Sequence, residues 1–254
     1  MTFKNYDFLQ PGLGLLSTIE GEGREEVYDY PGPHTTPEEG DRIARMRLEM
    51  EEAQSRVMRG DSTCRGLQSG YRFALENHYR EDLNQPYVLT HVEHAASAED
   101  YRSWGTAKAQ YRNSFLAIPA TVPYRPVPVT RKALVHGSQT ARVVGPAGEE
   151  IYVDAHSRVK VQFYWDRVGA KNEHSSCWVR VATTWAGKTW GVLHVPRIGQ
   201  EVVVQFLEGD PDRPIIVGSV YNAEQPPPFQ LPGLKTISGI RSRSSVGGGA
   251  GNFN

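Results

Sequence analysis

With 254 residues, the chain is long enough for one large or two ordinary domains. Its 28 Lys and Arg nearly balance 29 Asp and Glu, so no overall basicity points to nucleic acid or an anionic membrane surface. Apolar residues make up only 39%, while 25 Gly and 17 Pro signal many turns, which suits a β-rich protein better than a compact helical enzyme. No run approaches the roughly 20 apolar residues of a membrane span, and Met1–Asp7 lacks the apolar centre of a signal peptide. The two cysteines, Cys64 and Cys177, form neither a disulfide scaffold nor a CxxC pair. The expected starting compartment is the cytoplasm.

The first forty residues read as an irregular acidic segment. A helix follows: Thr36 suits the N-cap, Pro37 the first helical position, and Glu39 completes a capping box. Ile43, Met46, Met50, Ala53 and Val57 recur at steps of three and four, and Gly60 is the expected stop. The period then becomes two. Tyr71, Phe73 and Leu75 mark a half-buried strand, Tyr87–His94 and Tyr111–Ile118 two more, with a polar loop or short helix over Ser97–Lys108.

The stretch Ile118–Pro128 is rich in proline, which fixes φ and removes amide donors, so it is expected to be an extended connector. Charge shifts there too: residues 1–130 hold 14 Lys/Arg against 19 Asp/Glu, residues 131–222 hold 11 against 9, and 223–254 hold 3 against 1.

Beyond the connector the strand signals strengthen. Gln139–Val144 and Glu149–Asp154 flank Gly145-Pro146-Ala147-Gly148, a hairpin pattern. Val159, Val161, Phe163 and Trp165 alternate with Arg158, Lys160, Gln162 and Tyr164, and Cys177, Val179 and Val181 continue the apolar face. Val159, Val161, Phe163, Val179 and Val181 are therefore the expected barrel core. Gly191–Pro196, Glu201–Glu208 and Ile215–Tyr221 read as further strands, giving a small closed barrel, preferably of the OB type. The Gly/Ser-rich end, including Gly247–Gly251, cannot bury enough apolar surface to order itself alone.

Chemistry is hard to find. Ala186-Gly187-Lys188-Thr189 lacks the upstream glycine of a phosphate loop, since Ala182 stands there, and Gly187 reads as a turn between Trp185 and Trp190. His91 and His94 are three apart in a strand and point to opposite faces; His136, His156, His174 and His194 are scattered. Cys177 reads as an inert core thiol, and Glu149-Glu150 as diverging carboxylates rather than a glycosidase pair. No catalytic, cofactor-binding or metal-binding residue is expected. Arg158, Lys160 and Tyr164 with Trp178, Trp185 and Trp190 could form an OB-type single-strand binding face, but the local charge is weak for that role, and the same aromatics suit a protein interface.

Four blocks carry a resemblance: Val159–Asp166, Ser176–Val181, Pro196–Val204 and Phe206–Pro214. With Tyr28–Gly32 and Tyr111–Pro119 upstream, and Gly218–Asn222 and Ser238–Ser245 downstream, the chain closely resembles VgrG, the spike protein of type VI secretion systems. The resemblance implies a mainly β chain: an α+β hub portion, an OB barrel, then the start of a β-helical needle. It divides the chain into the later part of a tail-hub-like domain (1–120), a Pro-rich linker (121–130), an OB barrel (131–222) and an extended lead-in to the needle (223–254). It implies a non-catalytic homotrimer, related to contractile phage tail hubs, that docks on the Hcp tube and a PAAR-type tip protein. Such a spike carries effector proteins and punctures membranes without stable insertion, waiting in the bacterial cytoplasm and leaving it on firing. The family has more hub before the equivalent of Met1 and a needle beginning near Asn254, so the chain is expected to be an internal fragment. An OB-type nucleic-acid module and an enzyme with its catalytic part elsewhere are the competing classes.

Overall fold

Short strands build the opening segment, which was expected to be irregular. β1 (Thr2–Lys4), β2 (Leu16–Thr18) and β3 (Tyr28–Asp29) form a sheet in the order β2-β1-β3. Strands of two and three residues leave no period to read, and the sheet is held by long-range bonds such as Met1 ammonium to Ile19 O at 2.8 Å. The computed structural model describes residues 1–98 and 109–243; the loop or helix expected over Ser97–Lys108 falls mostly outside them, as does the glycine-rich end. The chain divides into two compact units, Met1–Val129 and Thr130–Asn254.

Helix α1 (Pro37–Ser55) starts where the sequence places it: Thr36 Oγ1 accepts from the Glu39 amide. The Glu39 carboxylate reaches back one residue further than a capping box requires, to the Thr35 amide at 3.1 Å. The buried face is Gly40, Ala44, Met50 and Ala53. Gly40 is there because a Cβ would strike Ser17 Oγ and His34, so the helix lies close against the first sheet.

The helix stops at Ser55, and Val57 lies exposed outside it. Gly60 is no stop signal: it sits within β4 (Met58–Ser62), opposite Phe115, and an added Cβ would come 2.5 Å from Phe115 Cζ. Here tertiary strand pairing overrides the local helix pattern. β4, β5 (Arg72–Ala74), β6 (Pro86–Ser97) and β7 (Gln110–Pro119) form an antiparallel sheet in the order β4-β7-β6-β5. Tyr87, Leu89 and Ala117 form its core with Phe73, Leu75 and Phe115, while Tyr71, expected on the same buried face, is exposed. Ile118-Pro119 belongs to β7 rather than to an extended connector; the residues after it carry no strand up to β8.

The second unit contains β8 (Gln139–Val144), β9 (Lys160–Phe163), β10 (Arg180–Val181), β11 (Ala186–Gly187), β12 (Trp190–Gly191), β13 (Glu201–Phe206) and β14 (Pro214–Val220). Five of them form one sheet in the order β10-β14-β13-β8-β9. Val159 and Val179, just ahead of β9 and β10, exchange both backbone hydrogen bonds, at 3.0 and 2.8 Å. That bridge joins the two ends of the sheet into a closed barrel. Counted along the barrel strands alone, the circuit is 1-2-3-5-4, with 3 and 5 parallel, an OB arrangement.

The expected 139–154 hairpin does not form. Glu149–Asp154 is not a strand, and β8 pairs instead with β9, from Val144 opposite Lys160 to Ala141 opposite Phe163. The turn residues at Gly145–Gly148 begin a longer excursion. Likewise Gly191–Pro196 contributes only Gly191, the last residue of the two-residue β12. Inside the barrel, Val159, Val161 and Val179 are buried with Ala141, Val143, Val202, Val204 and Ile216, and Phe163 and Val181 pack partly covered against them.

Candidate functional site

The β9 region gathers most of the side chains that could act. Arg158 does not face solvent as a free cation: its Nε lies 2.6 Å from Asp154 Oδ2, and its amide donates to Asp154 Oδ1 at 2.8 Å. Burial pushes the Asp154 carboxyl up, but the bonds from Arg158 and the His156 amide, with the Arg158 charge, outweigh it and hold this acid below the usual range. Lys160 Nζ stands 5.1 Å from the centre of the Trp178 ring, which also packs against Tyr152 at 4.9 Å.

Gln162 was expected on the solvated face, yet it is only 6% exposed. Its Nε2 donates to Asp166 O and Gly169 O, and its Oε1 accepts from the Lys171 amide at 2.7 Å and Ser175 Oγ at 3.1 Å. One amide side chain thus ties down the loop from β9 to β10. Trp165, read as part of the buried alternation, is 66% exposed because β9 ends at Phe163. It stacks on Phe163 at 5.3 Å, and Phe163 stacks on Phe206 at 5.9 Å. Trp165 Nε1 donates to Gln139 Oε1. The Phe206 contact comes from β13, far along the chain, and no local pattern could have revealed it.

Arg158 is thus paired with Asp154 and Lys160 lies over Trp178, so both cations of the sequence-predicted single-strand face have partners within their own unit. Cys177 is exposed, not a core thiol, because the apolar alternation begins only at Val179. Glu150 lies beside Arg197 at 3.5 Å. Lys188 and Thr189 form the turn of the β11–β12 hairpin, Gly187 being the last residue of β11. His94 Nδ1 meets the Tyr111 hydroxyl at 2.6 Å, and the Asn113 amide donates to the same hydroxyl.

Two histidines were passed over in the sequence, His34 and the loop residue His78, whose Nδ1 accepts from the Arg80 amide at 3.2 Å; the one with a structural part is His34. It is buried between the first sheet and α1, with Nε2 3.3 Å from Leu15 O and its carbonyl accepting from Asn5. Among the described residues no group of three or more His, Cys, Asp or Glu could hold a metal ion, and no helix is long and apolar enough to cross a membrane.

A two-sheet unit with one long helix, followed by an OB barrel without catalytic geometry among its described residues, is the architecture of a baseplate-type hub and injector. Residues 1–100 match the phage tail baseplate hub family, and 149–221 match the type VI secretion system/phage-baseplate injector OB domain. Along its whole length the chain is similar to VgrG spike proteins of type VI secretion systems. It is 46% identical to spike protein VgrG1b of Pseudomonas aeruginosa over the whole chain and 35% of that relative, and 45% identical to VgrG1a over 40% of it. The actin cross-linking toxin VgrG1 of Vibrio cholerae is 37% identical over 97% of this chain and 23% of its own length. A solved E. coli protein, c3393, described as a type VI component similar to T4 bacteriophage tail proteins gp27 and gp5, aligns with a TM-score of 0.50. Its identity is 25%, over 72% of this chain and 44% of that one. The chain thus spans little more than a third of the length of the spike relatives it matches.

Proposed function

We propose that this chain is the hub-and-barrel portion of a homotrimeric spike that is driven through a target membrane and carries effector proteins. In this reading it docks on the Hcp tube on one side and supports a needle with a PAAR-type tip on the other. It performs no chemistry itself, waiting in the bacterial cytoplasm and leaving on firing. The observation that carries the proposal is an overall identity of 45–46% to spike proteins in alignments that span the whole chain, both units included.

The exposed surface supports the assembly. Large apolar side chains stay exposed in both units. Trp165, Val168, Tyr221 and Ile240 are among the large apolar side chains left in water. A surface of that kind suits a protein that works with copies of itself.

The test is the mass of the full-length protein in solution, with Hcp and the tip protein added in turn. A threefold assembly that binds Hcp is the expected result. A protein that stays monomeric at high concentration with both present overturns the reading.

A further inference from the structure

We infer that Arg197 is a clasp that refastens the tail to the barrel, so that the chain beyond Arg243 starts from a fixed point on the rim where β14 ends. That this point is the base of a needle rests on the spike reading. Residues 223–242 do not lead straight off the barrel. They leave it by a turn in which Asn222 Oδ1 accepts from the Glu224 and Gln225 amides, at 3.0 and 2.9 Å, while its Nδ2 donates to Glu201 Oε2 at 2.9 Å. Glu224 lies 3.6 Å from Arg142, which faces Glu201 across the β8–β13 ladder. The far end then comes back, and Arg197 Nη2 donates to the carbonyl oxygen of Arg243.

Length shows how far the segment doubles back. Roughly 20 extended residues would span about 65 Å, whereas the backbones of its anchors Glu201 and Arg197, four positions apart, are at most about 14 Å apart. Arg197 and Gln200 close a tight turn just ahead of β13, the Gln200 amide donating to Arg197 O at 3.0 Å and the Arg197 amide to Gln200 Oε1 at 2.9 Å. Between the two feet the loop closes on itself. Arg241 Nη1 donates to Pro228 O at 3.2 Å, and the Leu234 and Ile237 amides donate to Gln230 O and Leu234 O. Closure of the loop is therefore separate from its attachment to the barrel through Arg197.

The surroundings of Arg197 suit it to this task. The Ile198 amide donates to Glu150 O at 3.0 Å, which joins the excursion after β8 to the turn and sets the Glu150 carboxylate beside the guanidinium. Arg197 Nη1 and Glu150 Oε2 are 3.5 Å apart, both buried, and neither has a hydrogen-bond partner among the described residues. The carboxylate aims the planar guanidinium from one side, and the other nitrogen is left to take a backbone carbonyl. A clasp that grips backbone needs no particular side chain at position 243, so no motif announces it.

The test uses the full-length protein and trypsin, because cleavage after Arg243 attacks the carbonyl that Arg197 holds, and that carbonyl must first leave the clasp. Lys235, inside the closed loop, is the reference site. Arg197→Ala/Glu150→Gln removes the clasp without leaving an unpaired carboxylate. Cleavage after Arg243 should rise about fivefold or more, the scale of one net hydrogen bond, while cleavage after Lys235 stays within about twofold. The barrel, followed by tryptophan fluorescence, should melt within about 2 °C of wild type, as expected for a change outside its core. Equal rates after Arg243 in the two proteins, or no cleavage there in either, overturn the clasp. So does an equal rise after Lys235, or a barrel that melts well below wild type, since the pair would then serve general stability. Light scattering on the wild type scores the assembly separately: a monomer in the presence of Hcp and the tip protein fails the spike reading, while the clasp stands or falls on the cleavage ratio.

Discussion

Replacing Gln162 by alanine removes four hydrogen bonds at once and leaves their partners in a half-buried loop. Each such bond is worth about 0.5–1.5 kcal/mol net, but several of the partners can reach water once the amide is gone, so the loss is about 2–4 kcal/mol. For a unit of this size, each kcal/mol moves Tm by about 4 °C, which places the variant about 8–16 °C below the wild type. Four of the five tryptophans lie after Thr130, so intrinsic fluorescence reports mainly on this unit during thermal or denaturant unfolding. Val168→Ala, in the same loop but 95% exposed, should stay within about 0.5 kcal/mol. Gln162→Glu adds a check on sign. Its carboxylate would face two carbonyl oxygens, which raises its folded pKa, so this variant should gain stability as pH falls toward 4. A Gln162→Ala protein that melts within 2 °C of wild type, by the error of a roughly 0.5 kcal/mol measurement, would refute the assignment of this side chain as the loop's anchor.

Three further outcomes are expected. Asp154→Asn should flatten the acid limb of the stability curve: the depressed carboxyl contributes stability above its unfolded pKa of about 3.9 that is lost as pH falls through the folded value, and parallel limbs for the two proteins between pH 4.5 and 2.5 would contradict this. Gly60→Ala should destabilise the first unit by about 1–3 kcal/mol, because Phe115 must give way and lose its edge contact with Phe73; a neutral result in a denaturant titration would show that the ring moves freely. Oligonucleotide binding should be weak and vanish with moderate salt, since Arg158 is paired with Asp154 and Lys160 alone offers few phosphate contacts; a sub-micromolar complex at about 200 mM salt would favour a nucleic-acid module.

The parts legible in sequence are those where one local rule acts alone. Thr36-Pro37 announces α1 because capping is a matter of neighbouring residues, and the valines at 159 and 161 announce β9 because both faces of that strand differ. The failures occur where a distant partner decides. Gly60 looks like a stop until β7 arrives beside it; Gln162 looks solvated until the loop folds over it; the 139–154 hairpin fails because β9 competes for the same edge. The strands at Thr2–Lys4 and Leu16–Thr18 are too short to have a period at all. The candidate site follows the same division. The motif blocks that mark the family are contiguous and readable, whereas the Phe163–Phe206 stack and the Arg158–Asp154 pair depend on geometry that spacing only partly suggests.

The order of strands in the barrel also determines how it answers a pull. The chain enters β8 at Gln139, which lies opposite Val204, and leaves β14 at Val220, which lies opposite Glu201 at the other end of β13. Entry and exit strands flank β13 and run in the same direction, so tension between them loads both ladders lengthwise. The bonds of β8–β13 and β13–β14 must then shear together rather than unzip one by one. Tension between the barrel's entry and exit is therefore carried through two ladders side by side, while the Val159–Val179 bridge keeps β9 and β10 from opening as free edges.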